Sequence, residues 1–168
     1  MYVDENGKIV GGPLHGHTYN GTLLGSQGDD VIVGTDSHDS IFAFGGNDIV
    51  CALGGNDIVF GGMGNDTIFG GAGNDTAFGE SGNDTIHGED GKDNIFGGDG
   101  TDVLDGGADK DVVDGGLGVD TVAGGDENDI VRGGSGNDAL DGGAGSDVCN
   151  GGPGSDTSAS CEINIQIP

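Results

Sequence analysis

Residues 61–69, Gly-Gly-Met-Gly-Asn-Asp-Thr-Ile-Phe, are the clearest copy of a nine-residue unit that repeats through most of the chain. Counting outward from this copy in both directions, an aspartate recurs at the sixth position of fifteen units with no insertion or deletion. These aspartates are Asp30, Asp39, Asp48, Asp57, Asp66, Asp75, Asp84, Asp93, Asp102, Asp111, Asp120, Asp129, Asp138, Asp147 and Asp156. The units run without a break through residues 25–159, which is 135 of the 168 residues. A phase kept over this length indicates a repeat architecture and not a disordered, low-complexity chain.

Each position of the unit has its own chemical character. Position 8 is aliphatic in the first thirteen repeats, from Ile32 to Leu140. Because alternate residues of a strand face opposite sides, positions 7 to 9 predict a short strand whose middle residue points into a core. Positions 1 to 4 are rich in glycine, which predicts a turn with positive φ angles or a close backbone approach. Two consecutive units would then form one coil with a strand on each side.

The composition excludes several classes of protein. Glycine supplies 41 of 168 residues and only 32% of residues are hydrophobic, so ordinary helices and a thick core are both excluded. The formal charge is −26, from 30 acidic and 4 basic residues. Nucleic acid is not expected as a partner, because phosphate binding needs clustered Lys and Arg. Such a charge on a small body opposes compaction unless cations neutralise it.

The unit matches the pattern G-G-x-G-x-D-x-U-x, where U is a large aliphatic residue, and so resembles the calcium-binding nonapeptide of the repeats-in-toxin, or hemolysin-type, family. The resemblance covers residues 25–159. It implies an all-β chain folded as a right-handed parallel β-roll, with two nonapeptides per coil and about 7.5 coils. It also implies Ca²⁺ ions in rows between adjacent turns.

The resemblance assigns ligands by position. One repeat would give the carbonyls of positions 2 and 4 and its aspartate, and the repeat two units later would give the carbonyls of positions 1 and 3 and its aspartate. Calcium takes six to eight oxygen ligands, which suits such a set. In three pairs of repeats the backbone ligands would be Gly62 and Gly64 with Gly79 and Ser81, Gly71 and Gly73 with Gly88 and Asp90, and Gly98 and Gly100 with Gly115 and Leu117. The fifteen aspartates would form two ladders, of eight and of seven.

These ladders contain at most thirteen gaps between stacked repeats, and some of the gaps should bind weakly. Ser37, Asp109 and Glu127 replace the glycine of position 4, where we expect a left-handed conformation. Ala43 and Ala52 replace the glycine of position 1. We therefore expect roughly 8–13 ions, with terminal turns the least complete.

The two ends lie outside the repeats. Residues 1–24 are expected to form an N-terminal capping or assembly segment that begins with a hairpin around Asn6-Gly7, a favoured two-residue turn. Residues 160–168 alternate in polarity and predict a capping strand. Cys149 and Cys161 are twelve residues apart and are candidates for a disulfide; the alternative is a buried thiol at Cys149 and a separate one at Cys161. Cys51, at an outward position, lies outside this scheme.

Position 9 places a phenylalanine in every second repeat over part of the chain, at Phe42, Phe60, Phe78 and Phe96. They should stack on one outer face, whose later members are polar. Such an apolar row predicts an interface with another molecule. Packing beneath the N-terminal segment, or stacking of the rings along the row, explains it equally well.

The sequence offers no nucleophile with a base and an orienting group, so we do not expect an enzyme. It also has no apolar stretch that would insert into a membrane. The resemblance implies a secreted or cell-surface protein that is disordered at cytosolic calcium and folds at extracellular calcium. The alternatives are a self-assembling filament or surface-layer subunit and the C-terminal repeat region of a larger toxin or enzyme. An ice-binding face is disfavoured, because position 3 carries no row of threonines.

Overall fold

The computed structural model describes residues 2–3, 9–10 and 21–167, which form strands joined by tight turns. The strands are β1 (Tyr2–Val3), β2 (Ile9–Val10), β3 (Thr22–Ser26), β4 (Val31–Thr35), β5 (Ser40–Gly45), β6 (Ile49–Leu53), β7 (Ile58–Met63), β8 (Thr67–Ala72), β9 (Thr76–Ser81), β10 (Thr85–Asp90), β11 (Asn94–Gly100), β12 (Val103–Ala108), β13 (Val112–Gly118), β14 (Thr121–Asp126), β15 (Ile130–Ser135), β16 (Ala139–Ala144), β17 (Val148–Pro153), β18 (Thr157–Ala159) and β19 (Ile163–Ile167). No helix occurs in this part of the chain.

Successive strands alternate between two sheets. From β2 onward the even-numbered strands lie side by side in one sheet, and the odd-numbered strands from β3 to β19 form the other. Neighbouring strands within each sheet are parallel, and from β3 to β18 partner residues lie two repeats apart, as in Phe42↔Phe60 and Phe60↔Phe78. One coil therefore contains two nonapeptides. The predicted all-β solenoid is confirmed; it has about eight turns, close to the 7.5 coils expected, and it is consistent with a right-handed β-roll.

The core is a single row of small aliphatic side chains on each sheet. Every position-8 residue from Ile32 to Cys149 is buried, with Leu23 extending the row at its start. Residues at positions 7 and 9 face outward and are half-buried or exposed. The predicted inward orientation of position 8 is therefore confirmed. The core is only two side chains thick, so most of the order must come from contacts between coils.

The strands are longer than the sequence predicts. We expected strands at positions 7 to 9 and a turn at positions 1 to 4; β8 (Thr67–Ala72) instead continues through position 3 of the next repeat. The reason is that glycine-rich segments of adjacent coils still pair through their backbones, as in Gly98↔Gly116 and Asp99↔Leu117. The turn is confined to positions 4 to 6.

Left-handed backbone occurs at two positions of the unit, of which the sequence predicts only one. At position 4, Asp109 and Glu127 have φ of 73° and 76°, as expected for glycine replacements. The expectation for Ser37 is wrong, since it is not among the positive-φ residues. Position 2 is also left-handed from the third repeat onward, and four of these residues are not glycine. They are Phe44, Leu53, Glu80 and Glu89, with φ between 75° and 78°.

Each end of the roll carries added strands. β1 pairs antiparallel with β2, and β2 joins β4 in parallel; the Asn6-Gly7 turn proposed between them lies outside the described residues. β19 pairs in parallel with β17 and ends the odd-numbered sheet. Cys149 and Cys161 form a disulfide, with their Cα atoms 5.9 Å apart. The final coil is thus fastened covalently to the segment that follows it.

Candidate metal sites between the coils

The aspartates form two continuous ladders linked by hydrogen bonds. In all thirteen gaps the backbone N–H of one aspartate donates to Oδ1 of the aspartate two repeats later, over 2.7–3.0 Å. The Asp66 N–H, for example, donates to Asp84 Oδ1 at 2.8 Å. Each carboxylate is therefore fixed in the gap between its own coil and the preceding one.

The second carboxylate oxygen is buried without a partner. Among the described residues, Oδ2 accepts no hydrogen bond in any of the twelve ladder aspartates from Asp48 to Asp147. A buried, unpartnered oxygen is costly, and native structures contain few of them. A regular row of twelve indicates that a ligand belongs beside these atoms.

Electrostatics supports the same conclusion. Burial raises the pKa of Asp84 to about 7; the Asp66 N–H opposes this shift, and the carboxylates of Asp102 and Asp66 add to it. Burial likewise raises the pKa of Asp57 and Asp111 to about 7. Stacked carboxylates in a dry gap are unstable as anions on their own, and a bound cation reverses this penalty.

Backbone carbonyls converge on the same gaps. The carbonyl oxygens of Gly98 and Gly100 face the following coil, since Cβ atoms added to Gly116 and Gly118 would overlap with them. The Gly115 oxygen faces back, 2.5 Å from a Cβ added to Gly97. These orientations match positions 2 and 4 of the earlier repeat and position 1 of the later one. Oxygen-only donor sets of this kind suit Ca²⁺.

The other two predicted ligand sets lie in equivalent gaps. The Gly64 and Gly73 oxygens face the next coil, and the Gly79 and Gly88 oxygens face the previous one. The position-3 carbonyls of Ser81 and Asp90 point back as well, and each accepts an N–H from the earlier coil at 2.8 Å. For the carbonyls of Gly62, Gly71 and Leu117 the membership of a site stays a prediction. No cluster of three or more His, Cys, Asp or Glu occurs in the described residues, so each gap would rely on two aspartates plus carbonyls.

The first two repeats differ from the rest. Asp30 Oδ2 accepts the Ser26 N–H at 2.6 Å, and Asp39 Oδ2 accepts the Thr35 N–H at 2.7 Å and its hydroxyl at 3.1 Å. In these repeats position 2 is not left-handed, and neither is position 4. In these two repeats Oδ2 of the aspartate accepts hydrogen bonds from its own repeat, whereas Oδ2 of the aspartates from Asp48 to Asp147 has no partner in the described part of the chain.

The geometry of the later repeats is uniform. Left-handed residues stand at both position 2 and position 4 in every repeat from the third to the thirteenth, including the two that begin with Ala43 and Ala52. Each of these eleven repeats has a further repeat stacked on it one coil later, the last being the repeat that contains Asp156. Eleven of the thirteen gaps therefore share one backbone geometry.

Two features of the ladders were not predicted from the sequence. At position 5, asparagine Oδ1 accepts the N–H of the equivalent residue one coil later, as Asn65 does from Asn83 at 2.7 Å. The recurrence of Asn at this position was the available signal. At the C-terminal end, Glu162 accepts the Asp147 N–H and so takes the place of the next aspartate. No repeat pattern marks Glu162.

The phenylalanine row is present on the odd-numbered sheet. The rings of Phe42, Phe60, Phe78 and Phe96 stack with centroids 5.0 Å apart and nearly parallel planes. All four remain half-buried, so stacking covers the ring faces and leaves the edges accessible. Of the two explanations within one molecule, the structure contains ring stacking. The interface stays a prediction.

The chain matches the model of a known family. The family model described as RTX calcium-binding nonapeptide repeat fits the chain in four copies, at residues 24–59, 60–94, 87–122 and 123–157. A comparison with curated proteins gives no match. No helix in the described residues is long and apolar enough to cross a membrane. The family match identifies Ca²⁺ as the ion for the buried aspartate ladders.

Proposed function

Because the chain belongs to the RTX calcium-binding nonapeptide repeat family, we propose that it is a structural module that folds when Ca²⁺ ions enter the gaps between its coils. The observation that supports this proposal most strongly is the row of twelve buried Oδ2 atoms without a hydrogen-bond partner. A Ca²⁺ ion beside these atoms would supply the missing partner and neutralise the stacked carboxylates. Binding free energy would then be folding free energy.

The proposal assigns ions to eleven gaps. Each ion takes two carboxylates from aspartates two repeats apart, the position-2 and position-4 carbonyls of the earlier repeat, and the position-1 and position-3 carbonyls of the later one. The gaps Asp30–Asp48 and Asp39–Asp57 hold no ion of this kind, because in each the earlier aspartate is already bonded to its own repeat. The two N-terminal repeats then act with residues 1–24 as a cap that does not require calcium.

In the proposed roll each kind of residue has a separate structural role. The aspartates provide charge, the left-handed residues turn carbonyl oxygens into the gaps, and the position-8 side chains keep the two sheets together. The Asn ladder holds the outer edge of each turn at a fixed spacing. Calcium supplies the positive charge that allows the carboxylates to stack.

The location we propose is outside the cytosol. The Cys149–Cys161 disulfide supports an oxidising compartment, since structural disulfides persist there and are rare in the cytosol. Extracellular calcium modules bind with dissociation constants of about 10⁻⁴–10⁻³ M, which matches a chain that stays unfolded at cytosolic calcium. The role is then structural and not catalytic.

A circular dichroism titration tests the proposal. We expect a spectrum without β-structure in chelator and a cooperative gain of β signal in millimolar calcium, with magnesium at the same concentration giving little change. The absence of a calcium-dependent gain would refute the proposed function.

A second role, self-association, is favoured by the half-exposed phenylalanine row and by Ile58 beside it, which is 43% exposed. The charge of the calcium-free chain would oppose such contacts, so association should need calcium. Sedimentation of Phe60→Ser and Phe78→Ser variants in calcium tests it. If wild type and variants sediment alike as monomers, the row has no intermolecular role.

A further inference from the structure

Position 2 of the repeat carries four side chains that the calcium geometry does not need. Left-handed φ is required there from the third repeat onward, and glycine supplies it in nine of thirteen repeats. Phe44, Leu53, Glu80 and Glu89 adopt the same conformation, although it is unfavourable for residues that have a Cβ atom. Non-glycine residues held in this region often mark functional sites.

These residues are arranged as two equivalent notches. On the odd-numbered sheet, Phe44 aligns with Gly62, and Gly62 aligns with Glu80. Because Gly62 has no side chain, an open space remains between the ring of Phe44 and the carboxylate of Glu80. This space is roughly 10 Å across, which corresponds to two strand spacings. The resulting groove is lined by Phe42, Phe44, Phe60 and Glu80 and has a volume of about 280 Å³.

The other edge of the roll repeats the arrangement nine residues later. Leu53 takes the place of Phe44, Gly71 that of Gly62, and Glu89 that of Glu80. This second groove has a volume of about 380 Å³ and also touches Ala72 and Asp90. The same three-part order, apolar residue, glycine and glutamate, therefore occurs on both edges in consecutive repeats.

The walls of each notch are open to solvent. Phe44 and Leu53 are 43% and 46% exposed, and both glutamates are exposed. Among the described residues the ion pairs are His87–Asp105 and Arg132–Asp114, so neither glutamate has a cation beside it. Eleven calcium ions would offset most of the formal charge of −26, but their proposed ligands are aspartates and backbone carbonyls, and not these two glutamate side chains.

We propose that the two notches bind basic side chains of a partner polypeptide, one Arg or Lys in each. The chemistry fits a long side chain whose methylene stem lies on Phe44 or Leu53 and whose cationic head meets Glu80 or Glu89. An arginine is the better occupant of both notches, because its planar head can pair with the carboxylate of Glu80 or Glu89 in two-point geometry. An acidic roll then selects a basic, partly apolar segment.

Nuclear magnetic resonance titration of the ¹⁵N-labelled, calcium-loaded chain tests this proposal. The probe is the peptide acetyl-Leu-Arg-Leu-amide, and its control is the same peptide with citrulline, which keeps the shape but not the charge. We expect shifts confined to the backbone around Gly62, Glu80, Gly71 and Glu89 with the arginine peptide, and none with the citrulline peptide.

Two double variants separate the notches from general charge attraction. E80Q/E89Q should weaken binding about tenfold or more, whereas D99N/D126N, which removes two exposed carboxylates at position 3, should leave it unchanged. F44G/L53G should also weaken binding although glycine suits the left-handed backbone, so that a folding defect is not an explanation. Equal losses in E80Q/E89Q and D99N/D126N, or equal binding of both peptides, would overturn the proposal.

The calcium dependence of folding is recorded on the same samples. If E80Q/E89Q binds fewer calcium ions than wild type, the glutamates serve the ions and the notch proposal is wrong. If the chain folds with calcium but binds neither peptide, the notch proposal fails while the proposed function stands.

Discussion

Replacing Asp84 by asparagine should weaken calcium-driven folding, whereas the same change at Asp30 should not. Asp84 lies between two of the eleven uniform gaps, and its Oδ2 is buried without a partner. Asparagine keeps the Oδ1 that accepts the Asp66 N–H, so the ladder bond persists and only the charge is lost. Asp30 has its Oδ2 bonded to the Ser26 N–H and contributes to no proposed site.

The size of the effect follows from the geometry. Removing one partner of a buried charge pair costs about 3–5 kcal/mol, and Asp84 is shared by two ions, which gives a loss of about 6–10 kcal/mol. The variant would bind about nine ions in one cooperative transition. With about 1.4 kcal/mol for each tenfold change in ligand concentration, the calcium midpoint should rise about three- to sixfold.

The assay is a far-ultraviolet circular dichroism titration with calcium, accompanied by a calorimetric count of bound ions. Asp84→Asn should show the higher midpoint and about two fewer ions, and Asp30→Asn should match wild type in both. The two variants have the same net charge, so bulk electrostatics cancels. Equal shifts in the two midpoints would refute the distinction between the first repeats and the later ones.

Three further outcomes follow from the structure. Without calcium, β-structure should be greater at pH 4–5 than at pH 7.5, because burial raises the pKa of ladder aspartates from 3.8 to about 6–7. Between these pKa values the roll binds more protons than the unfolded chain, so it loses stability as pH rises. With calcium the stability should instead increase with pH, and circular dichroism measured over this pH range with and without calcium compares the two cases. Val119→Asn should stabilise the loaded roll by about 0.5–1.5 kcal/mol in urea unfolding, since an amide there could accept the Asn137 N–H as Asn65 accepts that of Asn83, whereas Val119→Ser should not. Cys161→Ser should cost about 3 kcal/mol in the same experiment, and wild type with reductant should match it; an unchanged variant would mean that the disulfide adds nothing to the final coil.

The sequence predicts the repeating part of the structure well, because each repeat is constrained by its neighbours. The nine-residue phase leads to the two sheets, the buried position 8 and the aspartate ladders, all of which depend only on periodicity. The left-handed residues at position 4 also follow, since glycine prevails there. Asp109 and Glu127 then adopt the conformation set by adjacent coils despite their side chains.

What the sequence does not predict depends on contacts that differ from repeat to repeat. Asp39 Oδ2 accepts hydrogen bonds from Thr35 within one turn; the sequence marks this repeat only through Ser37 at position 4, and not through the residue that makes these bonds. The left-handed φ of Phe44 contradicts its own preference and is imposed by pairing with the next coil. Glu162 ends one ladder from outside the repeats, and it accepts the Asp147 N–H over 15 residues where every aspartate pair of the ladders spans 18.

Anomalous diffraction from crystals grown in millimolar calcium can show whether calcium ions lie between the coils, because it locates every ion. We expect eleven calcium peaks in two rows, each between aspartates two repeats apart, beginning with the gap Asp48–Asp66 and ending with Asp138–Asp156. Peaks in the Asp30–Asp48 and Asp39–Asp57 gaps would contradict the assignment of a calcium-independent cap. A roll without peaks between its coils would show that the aspartate ladders are not calcium sites.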